Sequence, residues 1–483
     1  MKKIQILDKH GRPIRKSAIG YRGASSKRNR LTSSIAGPLM PHYRIMSQYV
    51  RERLSSNMKA LERNNSTTSS AMTNFHTHVV NVGLKLQCNL NAKSLGISQK
   101  QARDKENDIE EKFDVYASSF DADATRQQNL YQLTGTILYE WLGGGDCFAL
   151  TPFIKDSSRK YGLAVRIVES ERVSNPDLMP NNDKFRDGIE VNRFGEPVAI
   201  WVRESFPNDS FSGVINTWKR HRIFDSKGRR RANHIWFKKW GSQYRGETKF
   251  ASVVEDLQYL TGLDKGEITT RFVQSLFSIF ITSPYSAEGD MGIEPWDGES
   301  EQFDPYQDDD KIILEPALVQ ELEPGQDVRF ADPARNASNY KDFVDALTTR
   351  LSAAIGIPIE VLNMKFGDSY SASRAALILA WEVYKVYREI LATNLLIPVY
   401  QLWLDEAVAR GIIELPNYLE KRDLWNRCAF RGTKMPIIDE QKAARAADTR
   451  LKSEVTSKRE ERQQLGLNHD KIEAQRQIEK EGN

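Results

Sequence analysis

Three adjacent carboxylates, Asp308-Asp309-Asp310, are the group in the sequence best suited to binding a metal ion. Carboxylate oxygens are preferred ligands of Mg²⁺, and a Mg²⁺-dependent nuclease would use such a group. Catalytic carboxylates, however, usually converge from separate rigid elements, and neighbouring ones on a loop are usually solvated. The sequence alone leaves both interpretations open, a metal site and a solvated acidic loop.

A second candidate is the pair His76-x-His78, which lies in a segment, residues 76–88, whose polar and apolar side chains alternate. The alternation predicts a strand, and a strand would direct both imidazoles to the same face. A structural metal site needs four ligands, and the sequence provides no third one nearby. We therefore interpret the two histidines as strand residues without a metal.

Gly143-Gly144-Gly145-Asp146 is a glycine-rich stretch that suggests phosphate binding at first sight. The Walker spacing with its Gly-Lys-Ser/Thr is absent, and the stretch follows a predicted helix and precedes a predicted strand. A phosphate cradle has the opposite order, because it uses the N-terminus of a following helix. The stretch is better explained as a helix C-cap and turn.

Other catalytic signatures are missing from the sequence. It has no HExxH, GxSxG or GxGxxG motif, and only seven histidines. Cys88, Cys147 and Cys428 lie far apart without CxxC spacing, which argues against a disulfide scaffold or zinc module and fits a reducing compartment. The pattern indicates a structural or interaction protein without a cofactor, not an enzyme.

The elements that must position these residues belong to a chain of several parts. Its 483 residues allow about three domains, and a hydrophobic fraction of 40% provides for a substantial core. The N-terminus shows no secretory signal, and no apolar run is long enough to span a membrane. We therefore expect no membrane association.

The charge is distributed unevenly. The chain has a net charge of +4, but residues 281–335 contain fifteen acidic residues and three basic ones, a local net charge of −12. Such a block marks either a surface with its own partner or a solvated loop region. Residues 1–45 are basic, with Asp8 as their one acid, and are predicted to be a flexible arm that either has no partner or touches nucleic acid.

Hydrophobic periodicity predicts an α+β fold. Helices are predicted at 46–65, 98–119, 124–142, 248–280, 339–355 and 372–410, the last one broken near Pro398, with a charged helical tail at 437–483. Strands of a small antiparallel β domain are predicted at Leu163–Val168, Gly188–Val191, Val198–Arg203 and His234–Lys239.

Several short phrases, taken in their order and spacing over residues 20–445, resemble the portal proteins of tailed bacteriophages, in the lambda-like family. Each phrase is weak by itself, and the series is specific. The main ones are Gly145-Asp146-Cys147-Phe148, Glu171-Arg172-Val173-x-x-Pro176, Gly195-Glu196-Pro197-Val198-Ala199-Ile200-Trp201, Arg245-Gly246, Ala354-x-Gly356-Ile357-Pro358-x-Glu360-x-Leu362, and Tyr370-Ser371-x-Ser373-Arg374-Ala375-Ala376 with Trp381.

The resemblance implies a portal fold and a division of the chain into its parts. The expected parts are a basic N-terminal arm (1–45), a wing of helices and antiparallel strands (46–247), a stem helix (248–280), an acidic clip (281–335), a second stem helix (336–360), a tunnel loop (361–373), a long wing or channel helix with the segment after it (374–436), and a charged helical crown (437–483).

The function implied by the resemblance is that of a homo-oligomeric ring, expected to be a dodecamer, at one capsid vertex of the virion. Viral double-stranded DNA would pass through it during packaging and ejection. The implied partners are the terminase large subunit, a head-tail adaptor and capsid or scaffold proteins, met in the host cytoplasm during assembly. The implied DNA-channel residues are Asn363, Lys365, Asp368 and Ser369, and the implied partner-docking residues of the clip are Asp304, Asp308, Asp309 and Asp310.

Two alternatives remain beside the portal interpretation. One is the Mg²⁺-dependent nuclease with the Asp308–Asp310 cluster as its metal site. The other is a DNA-binding scaffold that forms no ring and binds DNA through the basic arm. A conduit should bind DNA weakly and without sequence preference, because each phosphate that it neutralises adds affinity and slows sliding.

Overall fold

The computed structural model describes residues 40–207, 217–282, 318–322, 338–366, 370–435, 440–465 and 469–481, and they form a mixed fold of helices and small sheets. The helices are α1 (His42–Ile45), α2 (Gln48–Asn64), α3 (Ser66–Val79), α4 (Ala92–Leu95), α5 (Gln99–Ser118), α6 (Leu130–Gly144), α7 (Val254–Leu276), α8 (Ser338–Ile355), α9 (Ile359–Leu362), α10 (Tyr370–Leu391), α11 (Ile397–Ala409), α12 (Arg422–Trp425), α13 (Glu440–Lys452), α14 (Lys458–Gln464) and α15 (His469–Glu481). The strands are β1 (Lys85–Cys88), β2 (Asp146–Leu150), β3 (Arg166–Glu169), β4 (Phe185–Arg186), β5 (Ile189–Val191), β6 (Pro197–Arg203), β7 (Trp218–Arg222), β8 (Ala232–Trp236), β9 (Phe277–Thr282), β10 (Leu318–Leu322) and β11 (Cys428–Arg431).

Most predicted helices are confirmed, and their starts follow from local capping. The Ser98 hydroxyl accepts a hydrogen bond from the Gln101 backbone N–H, while the Gln101 side chain accepts one from the Ser98 N–H. This reciprocal capping box fixes the start of α5. The prediction of a helix break near Pro398 is also confirmed, because a π-helical turn over Ala392–Leu396 separates α10 from α11.

The predicted strand over residues 76–88 is wrong in its first half. His76 and His78 lie in the last turn of α3, and only Lys85–Cys88 is extended. Apolar side chains spaced three and four residues apart, including Phe75 and Val79, are fully buried on one face of this helix, so the helical period overrides the short alternation. The two imidazoles therefore do not share a strand face, and the His78 ring stacks on the Tyr384 ring with centroids 5.2 Å apart.

The predicted helix over 248–280 differs at both ends. Residues 249–253 form turns, the Thr248 hydroxyl before them donates to the Leu142 carbonyl at 2.7 Å, and Phe250 is fully buried. At the other end, Phe277–Thr282 leaves the helix and pairs in parallel with Leu318–Leu322. Its aromatic and β-branched residues suit a paired strand, and this long-range pairing could not be read from the local period.

The predicted antiparallel β domain is confirmed as two small sheets. One has the order β3-β2-β8 and the other the order β4-β5-β6-β7, with antiparallel pairing throughout. Their apolar faces enclose a cluster of their own around Phe148, Val168 and Ile200. A two-stranded ribbon, β1-β11, joins a strand near the beginning of the described chain to one near its end.

A larger core joins the helices. The rings of Phe113, Tyr400 and Trp403 pack together at its centre, with the Phe113 ring centroid 5.1 Å from that of Trp403. The same core extends to Leu257 at the base of α7 and Leu351 in α8, so both helices are rooted in the body. Among the helices of the described ranges, none is both long and apolar enough to cross a membrane.

Candidate functional site

The segment that follows α8 contains the one predicted site that the structure describes in part. Helix α8 ends at Gly356, whose φ of +80° is the left-handed conformation that glycine adopts without strain. The Ser352 hydroxyl donates to the Ile357 carbonyl at 2.6 Å and closes the turn. Pro358 then caps the short helix α9. Gly356-Ile357-Pro358 therefore marks the point where α8 ends and α9 begins.

Helix α9 is held on the body from one side. Its Val361 and Leu362 side chains are buried, and their carbonyls accept hydrogen bonds from α3. The Ser70 hydroxyl donates to the Leu362 carbonyl at 2.7 Å, and the Asn74 amide donates to the Val361 carbonyl at 3.1 Å. Two polar side chains thus satisfy the carbonyls that the end of a four-residue helix leaves open.

The tip beyond α9 is exposed. Asn363 and Lys365 both lie at the surface, and the Lys365 backbone N–H donates to the Glu360 carbonyl at 2.9 Å. Met364, between them, has a φ of +51° and is 62% exposed. The structure therefore places Asn363 and Lys365 on the same exposed turn. Asp368 and Ser369 lie outside the described residues.

This exposed turn is shorter than the predicted loop over 361–373. Residues 361–362 belong to buried α9, and residues 370–373 lie in the first turn of α10. The polar residues of the stretch suggested a loop, but Val361 and Leu362 are apolar and find a place in the core. The carboxylates predicted for partner docking, Asp304, Asp308, Asp309 and Asp310, lie outside the described residues. Within the part of the chain that is described, no three His, Cys, Asp or Glu side chains come together as metal ligands.

Helices α7 and α8 leave the body as a pair with little cover. Their inner ends are buried around Leu257 and Leu351, and the Tyr340 hydroxyl donates to the Asp264 carboxylate at 2.6 Å further out. Large apolar side chains face solvent on both sides of that contact: Ile268, further out on α7, is 67% exposed, and Phe343, nearer the body on α8, is 54% exposed. Helix α10 carries a similar group of exposed apolar residues: Ile378, Leu379 and Val386. Apolar patches of this kind mark contact surfaces.

A buried network of two arginines and two aspartates lies where α7 joins the β sheets. The Arg245 guanidinium contacts the Asp146 carboxylate with N–O distances of 2.7 and 3.0 Å, and Arg51 contacts Asp187 at 2.7 and 3.3 Å. The Ser170 carbonyl lies between them and accepts from both arginines, at 3.0 Å from Arg51 and 2.8 Å from Arg245. All four charged side chains are at most 3% exposed.

The network depends on two glycines. The backbone N–H of Gly246 donates to the Asp146 carboxylate at 2.9 Å. A Cβ atom on Gly246 would lie 1.9 Å from the Gly145 carbonyl oxygen, so a side chain cannot be accommodated there. Gly145 itself has a φ of +93° and caps α6, which confirms the predicted helix end and turn. Asp146, directly after this turn, contacts the Arg245 guanidinium.

The electrostatics of the network follow from its pairing. Burial alone would raise the pKa of Asp146, but the Arg245 guanidinium and the His234 imidazole outweigh it and hold that pKa well below its usual range. Burial lowers the pKa of His234, although the nearby Asp146 carboxylate opposes this. His234 Nε2 lies 3.0 Å from the Asp146 carboxylate, and its ring stacks between Phe148 and Trp236.

Sequence reasoning did not identify this network as one site. Gly145-Asp146 and Arg245-Gly246 are two separate short motifs, and about one hundred residues lie between them. A signal was available, because each motif places a glycine next to a charged residue, and the two charges have opposite signs. Such a pair of motifs suits two backbone segments that approach closely and form an ion pair. Arg51, Ser170 and Asp187 carried no such signal.

Comparison with known proteins identifies the family. The family model of phage portal proteins of the lambda family matches residues 29–388. This range includes both the buried network and Lys365. This chain belongs to the lambda family of phage portal proteins. It is a structural portal protein and not an enzyme.

Two phage portal proteins agree with that membership. The chain is 22% identical to portal protein B of Escherichia phage lambda and 22% identical to the portal protein of Escherichia phage N15, each over 94% of this chain and 87% of the relative. It is similar to a chain in the virion of a native gene transfer agent particle, with 12% identity, a TM-score of 0.45, and coverage of 91% of this chain and 98% of that one. A chain in the neck of an empty particle gives 13% identity and a TM-score of 0.42 over 85% and 94%.

Replacing Asp146 by Asn should destabilise the subunit strongly. The amide keeps the shape but leaves two buried guanidinium groups, Arg245 and Arg51, with Asp187 as the one remaining carboxylate of the network, and breaking a buried pair in this way costs about 3–5 kcal/mol. Urea unfolding at neutral pH measures the loss. Asp448→Asn is the control, because the Asp448–Lys452 pair is exposed and should cost no more than about 0.5 kcal/mol. Equal losses in the two variants would contradict a structural role for the network.

The network should also make stability depend on pH. Since burial lowers the pKa of His234 below its ordinary value of 6.5, the unfolded chain takes up a proton near that pH while the folded chain does not. The contribution is present above pH 6.5 and is lost as the pH falls below it. In His234→Gln, the free energy of unfolding should therefore fall less between about pH 7 and about pH 5 than in the wild type. Parallel pH profiles would refute this assignment.

Proposed function

We propose that this portal protein assembles into a closed ring, a dodecamer, at the capsid vertex of the virion, and that viral double-stranded DNA is packaged and ejected through its channel. Membership of the portal family over residues 29–388 is the observation that carries the proposal. The terminase large subunit, a head-tail adaptor and capsid or scaffold proteins are the proposed partners, met in the host cytoplasm during assembly. No cofactor is required, because the energy for packaging comes from the terminase.

In this proposal α7 and α8 are the stem and pack against the same helices of neighbouring subunits. A pair of helices that exposes Ile268 and Phe343 lacks the cover that an apolar surface needs in water. Repeated head-to-tail contacts that close on themselves would provide that cover in every subunit. The exposed apolar residues of α10 would be covered in the same way by the adjoining wing.

The acidic segment 281–335 is the proposed clip, projecting from the end of the stem. The end of β9 lies at the start of this segment, and β10 lies within it. The fifteen acidic residues of the segment favour a partner with a basic surface. Charge of this kind guides encounter more than it adds affinity. Residues 437–483, with helices α13, α14 and α15, are the proposed crown.

The exposed turn around Lys365 is the proposed point of contact with DNA. In a ring each subunit would contribute one lysine, so the phosphate backbone would meet a single belt of positive charge. One belt makes few simultaneous phosphate contacts and so guides DNA without stopping it. Asn363, Asp368 and Ser369 are the proposed polar neighbours of this belt. Anchoring of α9 by Ser70 and Asn74 gives the belt a fixed base.

Replacing Ile268 by Lys should prevent ring closure. The side chain is 67% exposed in the subunit, so the fold should survive, while the proposed seam would have to bury a charge. Light scattering should show a fall from ring mass towards the single subunit. Thr269→Lys on the same helix brings the same charge to an exposed polar position and serves as the control. An Ile268→Lys protein that still forms full rings would exclude this face from the seam.

Replacing Lys365 by Glu should leave the rings intact and reduce DNA packaging several-fold, since the belt would then repel phosphate. The measurement is the amount of nuclease-protected DNA in an in vitro packaging reaction. Lys100→Glu, an exposed lysine in α5, is the control. Normal packaging and retention by Lys365→Glu would remove the belt from the proposal.

Replacing Asp308, Asp309 and Asp310 by Lys should weaken terminase or adaptor binding and leave ring mass unchanged. Reversing the charge of three exposed acids near the C-terminus, Glu440, Asp448 and Glu454, is the control. Binding can be measured by sedimentation with each purified partner at physiological salt. Unchanged binding would mean that the acidic charge of the clip only keeps it solvated.

A further inference from the structure

Two cysteines that lie 340 positions apart in the sequence face each other across the β1-β11 ribbon. Cys88 is directly opposite Cys428 in the antiparallel register, and both are free thiols in this structure. Residues opposite each other on such a ribbon project to the same side, with their Cβ atoms about 4.5–5.5 Å apart. The wide sequence spacing had argued against disulfides, but the topology brings these two thiols together.

The hydrogen-bond pattern shows which kind of cross-strand pair this is. The Asn89 N–H donates to the Arg427 carbonyl at 3.0 Å, which makes the next pair along a hydrogen-bonded one. Because hydrogen-bonded and non-hydrogen-bonded pairs alternate, Cys88 and Cys428 form a non-hydrogen-bonded pair. In agreement, the Cys88 N–H donates to the Glu110 carboxylate at 2.9 Å instead of to β11.

This position suits a disulfide. In non-hydrogen-bonded pairs the Cα atoms are about 4.5 Å apart and the side chains are at their closest. A disulfide accepts Cα separations of about 4.4–6.8 Å and Cβ separations near 3.8 Å. A small approach of the two strands would therefore allow the sulfur atoms to bond. The Cys88 sulfur is buried in the core, 3.8 Å from the Tyr400 hydroxyl, whereas Cys428 is half-buried.

We propose that Cys88 and Cys428 form an intramolecular disulfide when the protein meets a peroxide, and that this bond fastens β11 to the body. Cys428 is the half-buried partner and reacts first: its sulfur takes one oxygen from hydrogen peroxide, giving a sulfenic acid and one water. The Cys88 sulfur then attacks the sulfenic sulfur. The S–O bond breaks, and the hydroxyl leaves with the Cys88 proton as a second water.

The surroundings make this a slow reaction. Burial raises the pKa of Cys428 to about 12, and burial together with the Glu110 carboxylate raises that of Cys88 well above its usual value. Both thiols are therefore protonated at neutral pH and react slowly with oxidants. Cys147 is fully buried in the β3-β2-β8 sheet and has no cysteine opposite it, since β2 pairs it with Glu169 and Ile235.

The consequence concerns the C-terminal part of the chain. Strand β11 is the last strand before α13, α14 and α15, so a covalent bond at Cys428 would fix where this part leaves the body. Under the proposed function, the bond would stay open in a reducing cytoplasm and close in the oxidising medium around a released virion. This consequence rests on that function, whereas the pairing of the two cysteines does not.

Peptide mapping tests the bond directly. The reduced, full-length protein is treated with hydrogen peroxide, its remaining thiols are alkylated under denaturing conditions, and the digest is analysed by mass spectrometry without reduction. We expect a peptide containing Cys88 linked to one containing Cys428 within a single chain, with Cys147 alkylated. A Cys428 oxidised to sulfinic acid beside an alkylated Cys88, a link to Cys147, or a Cys428–Cys428 link between chains would each overturn the proposal.

Thermal unfolding tests whether the bond fastens the ribbon. Peroxide should raise the Tm of the wild type by at least ~3 °C, and dithiothreitol should reverse the rise. Cys147→Ala should respond in the same way, and Cys428→Ser should not respond. If Cys428→Ser fails to fold, Cys88→Ser provides the same test, and the wild-type peptide map needs no variant. A linked protein with an unchanged Tm would overturn the fastening role.

Discussion

The paired charges of Arg51, Asp187, Arg245 and Asp146 are the constraint on which the described fold depends. They come from helix α2, from the turn between β4 and β5, from the loop before α7 and from the start of β2, so one buried cluster orients helix, sheets and stem together. Removing four charges from water costs free energy. A buried ion pair is therefore weak evidence that the pair makes the protein more stable. Its value lies in geometry, because moving any one of the four segments away would leave a buried charge without its partner.

That geometry has a direct mechanical consequence. The Gly246 backbone N–H donates a hydrogen bond to the Asp146 carboxylate, and α7 begins eight residues after Gly246. The base of the proposed stem is therefore fixed to the β sheets of the proposed wing. At the body end of α8, α9 and the exposed Lys365 turn that follows it are held on α3. Short polar contacts thus hold the Lys365 turn on the body, while the exposed apolar residues of α7, α8 and α10 are available for the proposed contacts with neighbouring subunits.

The sequence was informative where the physics is local. Helix α5 begins at its capping box, α8 ends at Gly356, and β6 covers a run of β-branched and aromatic residues that favours a strand. The sequence was misleading where a longer hydrophobic period or a distant partner determines the secondary structure. His76 and His78 belong to α3 because that helix buries one apolar face, and Phe277–Thr282 is a strand because it pairs with β10. Contacts across long stretches of chain, such as Asp146 with Arg245 or Cys88 with Cys428, carry no local signal beyond the residue types. The exposed turn at Asn363 and Lys365 was predictable because a helix stop and a polar stretch define it, whereas the buried α9 beside it depends on packing.

The mass of the purified protein tests the central claim most directly. Each subunit has a mass of 55.2 kDa, and a closed dodecameric ring would have a mass twelve times as large, measurable by native mass spectrometry and visible by electron microscopy as a ring with a central channel wide enough for duplex DNA. The account predicts that closed species at micromolar concentration. A monodisperse monomer of 55.2 kDa with its apolar helix faces exposed, or an open filament of indefinite length, would contradict it.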